Sequence, residues 1–593
     1  MKKKRKIQEH SREEKEEEEE DDLLAIAAAW ASDRGTKKTD HESNTPSSQK
    51  RTTTATNNNS NKPQNKSLKY VDRKPPPFPK QHQQPLPKNG FLKNEEPYCQ
   101  SFETALNTAY EGVVWDGPTH QETDIRNALS VMDESGLFRT DVTQPAGLGS
   151  KLVPGYVTRC LLGEEGTTYR YLGLRMFSHP WNGSGQHGNG KQNKKLKHAI
   201  QTLQSLNEQL TERTQVHLQH LESKRRNRKE KEPTVQGKSN YDVTLINKMT
   251  VHKKLRDEPM FGDNKYSVGW HADSSLEHFS AIAVYQTIMN PSPGDEGNWS
   301  VALRVAHDAE GPRGKRLGDI TVEEHSPPIQ VELPSGSTYY LLDDFNHHHQ
   351  HAVLAPPNQS AKSVRFSSTH RLLRKGHNVK DIIDRCKTVC DNFQRHGNKR
   401  WRSEQLLLTE LENEWLRQFF IQGPFHKKIH WGYWEEPIRE LFQYWEKLEA
   451  RTKQIILVLK HASEERCGQH SSRGKEALTT IEQVKGDRNP KDVLYDSMAS
   501  LLSQRAKSRD LWAKRERDPV FKRLHEDCQP IPFPVAFKNN QSSAEAVMAT
   551  SALPDGSSAF LTELASYVKA LGVAYESGSA KSLPEKDIIK DGN

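Results

Sequence analysis

Apolar residues along this chain fall into three regimes. Up to about residue 96 they follow no period: an acidic run (Glu16 to Asp22), a Thr/Asn/Ser-rich stretch (Thr52 to Asn61) and a Pro-rich stretch (Pro75 to Pro87) succeed one another. Such segments carry too little apolar surface to offset the entropy of ordering them. A disordered arm is therefore expected over residues 1–96, with one helix-forming pattern at Asp21 to Ala31, where acidic residues lead into an Ala-rich run. From residue 97 the pattern becomes strand-like, first at Tyr156 to Leu162 and Tyr169 to Phe177. Lys194 to Arg228 interrupts it with Leu196, Leu203, Leu210, Leu218 and Leu221 at near-heptad spacing, which predicts a long helix laid across the outside of a sheet rather than a coiled-coil partner.

Between Asn240 and Thr369 short strand candidates follow one another: Asp242 to Ile246, Tyr266 to His271, Ala281 to Thr287, Trp299 to Ala306, Ile329 to Leu333, Thr338 to Leu342, Ala352 to Leu354 and Ser363 to Thr369. Gly/Pro/Asp-rich connectors separate them, the pattern of a jelly-roll or sandwich core. After Lys375 the strands stop. Val379 to Phe393, Glu404 to Phe420, Glu436 to His461, Glu476 to Val484 and Lys491 to Arg515 read as amphipathic helices, and the stretch from Asn539 as linker with a short helix at Phe560 to Leu571. The expected fold class is α+β: a double-stranded β-helix (jelly-roll) domain over 97–375, an all-α helical domain over 376–575 packed against it, and a tail over 576–593.

Composition narrows the class. A chain of 593 residues is too long for one core. Its net charge of +8 is small for that length and only weakly favours an anionic partner. The cysteines (Cys99, Cys160, Cys386, Cys390, Cys467, Cys528) are scattered without a CxxC pair, as in a reduced compartment, and Cys386 and Cys390, one helical turn apart, read as core packing. No run approaches the roughly 20 apolar residues of a membrane helix. Leu23 to Trp30 is too short and follows an acidic block, unlike a signal peptide. The cluster Lys2-Lys3-Lys4-Arg5-Lys6 is of the kind that directs proteins to the nucleus.

Three pieces of the β region carry chemistry. His271-Ala272-Asp273 follows a strand, and residues two apart on a strand face the same side, so an imidazole and a carboxylate can meet one ion. The tract Asn346-His347-His348-His349-Gln350-His351 supplies a distant histidine, completing the two-His, one-carboxylate set that suits non-haem Fe(II). Spacing alone leaves His349 and His351 as alternatives, since they face the same way. In Val364 to Arg371, the residues Arg365, Ser367, Thr369 and Arg371 share one face, placing two guanidinium forks where a carboxylate can be bound bidentately.

The order HxD, distant His, Arg-x-Ser is that of 2-oxoglutarate oxygenases. With Arg-x-Ser-x-Thr-x-Arg it resembles the AlkB-type nucleic-acid demethylases, and within them the FTO (fat mass and obesity-associated) family. The resemblance is carried by residues 241–247, 257–262, 268–273, 280–285, 342–346, 350–354 and 365–371, and, most discriminatingly, by Glu414-Trp-Leu-Arg-Gln-Phe-Phe420 in the helical region. It implies His271, Asp273 and His351 as ligands of Fe(2+), with 2-oxoglutarate and dioxygen as cosubstrates. It implies Arg365 as the partner of the distal 2-oxoglutarate carboxylate, assisted by Ser367, Tyr339, Asn247 and Arg371. Arg159, Tyr171, Leu172, Val268 and Trp270 match positions that hold a methylated base, and Asp257 to Gly262 matches a loop that obstructs duplex substrates. The implied activity is oxidative N-demethylation of bases such as N6-methyladenine or N3-methyluracil and N3-methylthymine in single-stranded RNA or DNA, releasing formaldehyde, by a monomer.

Two departures stand out. Ser274 replaces an acidic residue after the metal Asp, which bears on base choice, and Pro356 to Ser360 lengthens the turn before Arg365. An oxygenase acting on a protein or small molecule would keep the iron and cosubstrate residues but leave Arg159, Tyr171 and Leu172 without a role. A non-catalytic RNA-binding scaffold would have no need of an intact ligand set.

Overall fold

The computed structural model of the chain describes residues 90–144, 152–154, 157–183, 191–228, 238–250, 268–291, 299–306, 326–356, 363–393, 400–485, 494–533, 558–584 and 588–589. The expected helix at 21–31, the loop at 257–262 and most of the lengthened turn at 356–360 lie outside them.

The sheet-rich part contains β1 (Val113–Asp116), β2 (Val142–Thr143), β3 (Val153–Pro154), β4 (Thr158–Gly163), β5 (Thr168–Tyr171), β6 (Leu174–Phe177), β7 (His179–Pro180), β8 (Val243–Thr250), β9 (Val268–His271), β10 (Ile282–Met289), β11 (Trp299–Val305), β12 (Ile329–Leu333), β13 (Thr338–Leu341), β14 (His349–Leu354) and β15 (Val364–Arg371). A seven-stranded major sheet runs β1-β13-β10-β15-β8-β4-β7, and a four-stranded minor sheet runs β12-β11-β14-β9. The β2–β3 and β5–β6 pairs stand apart as hairpin-like ribbons.

Alternation explains why the major sheet is covered on both sides. Leu245, Val284 and Tyr339 face inward onto Val301, Leu303 and Val331 of the minor sheet. Their neighbours Ile246, Ala283, Tyr285 and Tyr340 face outward and are buried under α2 (Glu122–Glu134) and α3 (Lys191–Asn227), while α1 (Cys99–Asn107) packs its Phe102 and Ala105 on the inner core. The near-heptad leucines of α3 thus cover a sheet face, as expected. The expected double-stranded β-helix is present.

The helical part comprises α4 (Val379–Asp391), α5 (Trp401–Glu410) running through a π-helical turn (Leu411–Leu416) into α6 (Arg417–Phe420), then α7 (Gly423–Arg466), α8 (Ser472–Lys485), α9 (Asp496–Glu516) and α10 (Ser558–Ser577). No helix among the described residues is long and apolar enough to cross a membrane.

Three expectations need correction. The single strand expected over Tyr169 to Phe177 is a hairpin, because Leu172 and Gly173 take the left-handed backbone at φ 44° and 73°. Gly tolerates this freely and leucine does not, so apolar content alone could not reveal the turn. Pro437 does not begin a helix but sits inside α7, whose buried His430, Trp434, Ile438 and Leu441 keep helical phase across it, so packing outweighs one lost hydrogen bond. The short helix expected near the C-terminal end is twenty residues long and buries Leu561, Leu564, Val568 and Leu571 among α7 and α9.

The two parts meet over β6, β7 and α7. Phe177 inserts edge-on between Phe419 and Trp434, at 5.1 and 4.9 Å between ring centroids, and the Trp434 indole donates to the Ser178 carbonyl at 2.9 Å. Beside it His179, His430 and His426 stack in a buried file, 4.3 and 4.4 Å apart. Burial, with Arg139 beside them, pushes His179 down to about 3 and holds His426 and His430 well below the usual histidine range.

The sign of the pH effect follows. These rings stay neutral in the fold while the unfolded chain takes up their protons below about pH 6.5, so their contribution is complete above that pH and is lost on acidification, at about 1.4 kcal/mol per pH unit per ring. Thermal unfolding should therefore shift to lower temperature between about pH 6.5 and pH 5. A melting temperature constant over that window would contradict it.

Candidate active site

The inner face of the sandwich positions the chemistry. β9 and β14 are antiparallel neighbours with His271 directly opposite His351, and Asp273 follows β9 as the chain turns away. The candidate ligand atoms of His271, Asp273 and His351 all lie within 4.8 Å of one another. Each is held by its surroundings. His271 Nδ1 donates to the Gly269 carbonyl at 2.8 Å, leaving Nε2 for an ion. The Asp273 backbone exchanges two 2.9 Å hydrogen bonds with the Asn346 side chain. The Asp273 carboxylate accepts both prongs of Arg371, from Nη2 at 2.7 Å and Nε at 3.0 Å. Burial works to raise the Asp273 carboxyl, but Arg371 and the two imidazoles outweigh it and hold it below the usual range. Burial, reinforced by His271, pushes His351 down to about 3, which keeps its ring in the neutral form a metal requires.

The histidine tract resolves geometrically. His349 does face the same way as His351, but its ring stacks on Phe345 at 4.0 Å, and its two nitrogens lie 3.0 and 2.8 Å from the carbonyls of Phe345 and Ala109. It pins the turn before β14 to the end of α1, and the triad contains His351 alone of the two.

Arg365 is fully buried on β15. Its Nε donates to Gln286 Oε1 at 2.8 Å and its guanidinium lies 4.8 Å over the Trp299 ring, while Nη2 has no hydrogen-bond partner among the described residues. Burial lowers its pKa to about 10. A desolvated guanidinium without a carboxylate is a costly arrangement, and a dicarboxylate cosubstrate would complete it. Arg371 Nη1 is likewise buried and without a hydrogen-bond partner among the described residues, while its other two nitrogens grip Asp273. Tyr339, inward on β13, is raised above the usual phenol range by burial, and its nearest charges are Arg365, Asp273 and Arg371. The residues present therefore fit a metal ion and a carboxylate-bearing cosubstrate.

Register extends the site across the major sheet. Arg159 on β4 pairs with Asn247 on β8, Asn247 with Ser367 on β15, and Ser367 with Gln286 on β10. This polar row runs from the neighbourhood of Arg365 to Arg159. Arg159 donates from Nη2 to the Tyr171 hydroxyl at 3.0 Å and lies 4.3 Å over the Tyr171 ring. Leu172 is exposed at the adjoining turn, and Val268 lies half-buried at the start of β9.

Trp270 is not brought to this group. It alternates with His271, so its ring faces the outside of the minor sheet, packs on Phe91 at 6.1 Å and carries Arg304 at 4.6 Å. Three contributors were not assigned from sequence: Gln286 and Asn346, which orient Arg365 and Asp273, and Tyr169. Tyr169 shares the inward face of β5 with Tyr171, lies under Arg371 at 4.8 Å and is in hydrogen-bond reach of Ser274, with burial raising its hydroxyl to about 12. The i, i+2 spacing of the two tyrosines was the available signal.

Sandwich, triad and buried Arg365 agree with what comparison with known proteins returns: the chain is a 2-oxoglutarate-dependent dioxygenase. Residues 100–374 match the family described as the FTO catalytic domain, and residues 369–566 match the FTO C-terminal domain. The chain belongs to the FTO family. It is 27% identical over 467 residues to the alpha-ketoglutarate-dependent dioxygenase FTO of Xenopus laevis, covering 72% of this chain and 84% of that protein. A solved structure of OsALKBH1 aligns with 44% of this chain and 97% of its own at 18% identity, with a TM-score of 0.25 that carries no argument.

Proposed function

We propose that this dioxygenase removes N-methyl groups from bases in single-stranded nucleic acid, with Fe(II) held by His271, Asp273 and His351 and 2-oxoglutarate held by Arg365. The observation that carries the reading is the polar row across the inner face of the major sheet. It ends on one side at a buried, carboxylate-less Arg365 and on the other at Arg159 paired with Tyr171. When bound there, iron with 2-oxoglutarate and dioxygen supplies the oxidising power to hydroxylate an N-methyl carbon, which then leaves as formaldehyde.

The chain's own residues do the positioning. Arg371 and Asn346 fix the Asp273 carboxylate, and Gln286 fixes Arg365. Tyr171 offers a ring face on which an unpaired base can stack, and the Leu172 side chain, exposed at the turn, offers an apolar surface beside it. Formaldehyde release from methylated oligonucleotides, with and without 2-oxoglutarate, tests this. Release that requires both supports it, whereas 2-oxoglutarate turnover that no methylated strand stimulates would point to a protein or small-molecule substrate.

Ser274 bears on which base is taken. It is exposed beside the triad, within reach of the Tyr169 hydroxyl, where an acidic residue would present a charged acceptor. Serine is shorter and both donates and accepts. Ser274→Glu is expected to change the ranking of N6-methyladenine against N3-methylated pyrimidines by about 5-fold to 150-fold in kcat/KM. An unchanged ranking would show that position 274 does not set the preference.

A further inference from the structure

Beyond Asp141, seen from the Arg159–Tyr171 pair, the sheet-rich and helical parts enclose a second cleft. Arg139, Asp141, Val142 and Leu174 line one side, and Ile421 and Arg515 of the helical part line the other. Its charges do not balance. Arg139 reaches His426 Nδ1 at 2.6 Å, and Arg515 donates from Nη2 to the Val142 carbonyl at 3.2 Å, yet neither guanidinium forms an ion pair among the described residues. Arg515 Nε is buried with no hydrogen-bond partner among the described residues. The one carboxylate among the lining residues, Asp141, lies 3.9 Å from Arg159 just outside the cleft, and the other acid acting on the cleft's cations is Asp518, near Arg515, so Arg139, Arg159 and Arg515 together outnumber Asp141 and Asp518. Burial lowers Arg515 to about 10 and also lowers Arg139, outweighing the opposing pull of Asp518 on the first and of Asp141 on the second. Guanidinium forks held this way are pre-set for a tetrahedral or planar anion.

The position of the cleft says which anion. Arg139 and Arg159 exchange backbone hydrogen bonds of 3.2 and 2.9 Å, and Gln144 N donates to the carbonyl of Leu172 at 3.0 Å. The cleft is therefore one β-bridge from the residues proposed to hold the base, a span that the phosphates flanking an extruded nucleotide cover. We propose that this cleft receives a backbone phosphate of the single strand whose methylated base lies against Tyr171, so that Arg515 makes the helical part a direct contributor to strand binding. The inference rests on the nucleic-acid reading above and names the second contact of that substrate.

The test is binding of a labelled, unmethylated single strand by the full chain, followed by anisotropy at several salt concentrations. Arg515→Gln is expected to weaken binding about tenfold and to reduce the slope of log K against log salt by about 0.7, the value of one phosphate contact on a single strand. Arg515→Lys keeps the charge but loses the fork, so it should keep the slope while weakening binding a few-fold. Wild-type affinity and slope in Arg515→Gln would overturn the proposal. So would inorganic phosphate raising the melting temperature of the wild type but not of the variant while both bind the strand equally, which would mark a site for a free anion. Should Arg515→Gln fail to fold, Arg515→Lys decides: unchanged strand affinity there overturns the assignment. Failure of every methylated strand to release formaldehyde would sink the demethylase reading and leave this binding measurement interpretable.

Discussion

Asp273→Ala is expected to abolish Fe(II) binding and turnover together, and to destabilise the jelly roll as well. Two effects coincide at this position. The triad loses its only carboxylate, and because changing a residue that merely orients a ligand costs about 10-fold to 100-fold in metal affinity, loss of a ligand itself should exceed that. Arg371, buried with both prongs on Asp273, is left as an unpaired cation, and breaking such a pair costs about 3–5 kcal/mol. Asp273→Asn separates the effects, since it keeps the shape and part of the hydrogen bonding but removes the charge. Anaerobic metal titration and a melting curve on both variants check this, and Asp273→Ala with wild-type metal affinity would remove Asp273 from the site. His351→Ala should lose metal in the same way, whereas His349→Ala should keep metal affinity and lose stability, because His349 bonds to carbonyls. The opposite order would mean that His349 is the ligand.

Arg365→Gln is expected to raise the apparent KM for 2-oxoglutarate about 10-fold to 100-fold, the value of a charge-assisted hydrogen bond of about 1.5–3 kcal/mol. Its stability behaviour is more telling. In the ligand-free protein Arg365 is a buried cation without a carboxylate, so replacing it should leave the apoprotein at least as stable as the wild type. 2-oxoglutarate should then raise the melting temperature of the wild type and not that of the variant. An unchanged 2-oxoglutarate titration would count against the oxygenase site as drawn.

Much of this was legible in the sequence where a residue's role depends on strand alternation. The inward face of β15, the same-side pair His271 and Asp273, and the covering leucines of α3 all follow from period 2 or period 3.6. What depended on three-dimensional neighbours was not legible. Nothing local distinguishes His349 from His351, which differ only in whether carbonyls of Ala109 and Phe345 or a second imidazole lie beside them. The orienting roles of Gln286 and Asn346 join strands and turns far apart in the chain. The turn at Leu172 was hidden because a leucine in left-handed backbone has no compositional sign. The placement of Trp270 follows from its neighbour: His271 takes the inward face, and alternation then sends the indole outward onto Phe91.

The central claim is that the reaction at this site takes a methyl group from a base. Mass spectrometry of a methylated single strand incubated with the full chain, Fe(II) and 2-oxoglutarate, with succinate measured in the same sample, tests it most directly. The expected result is one methyl replaced by hydrogen for each succinate formed, with neither change in Asp273→Asn. Succinate accumulating at the same rate over a strand whose mass does not change would contradict the account.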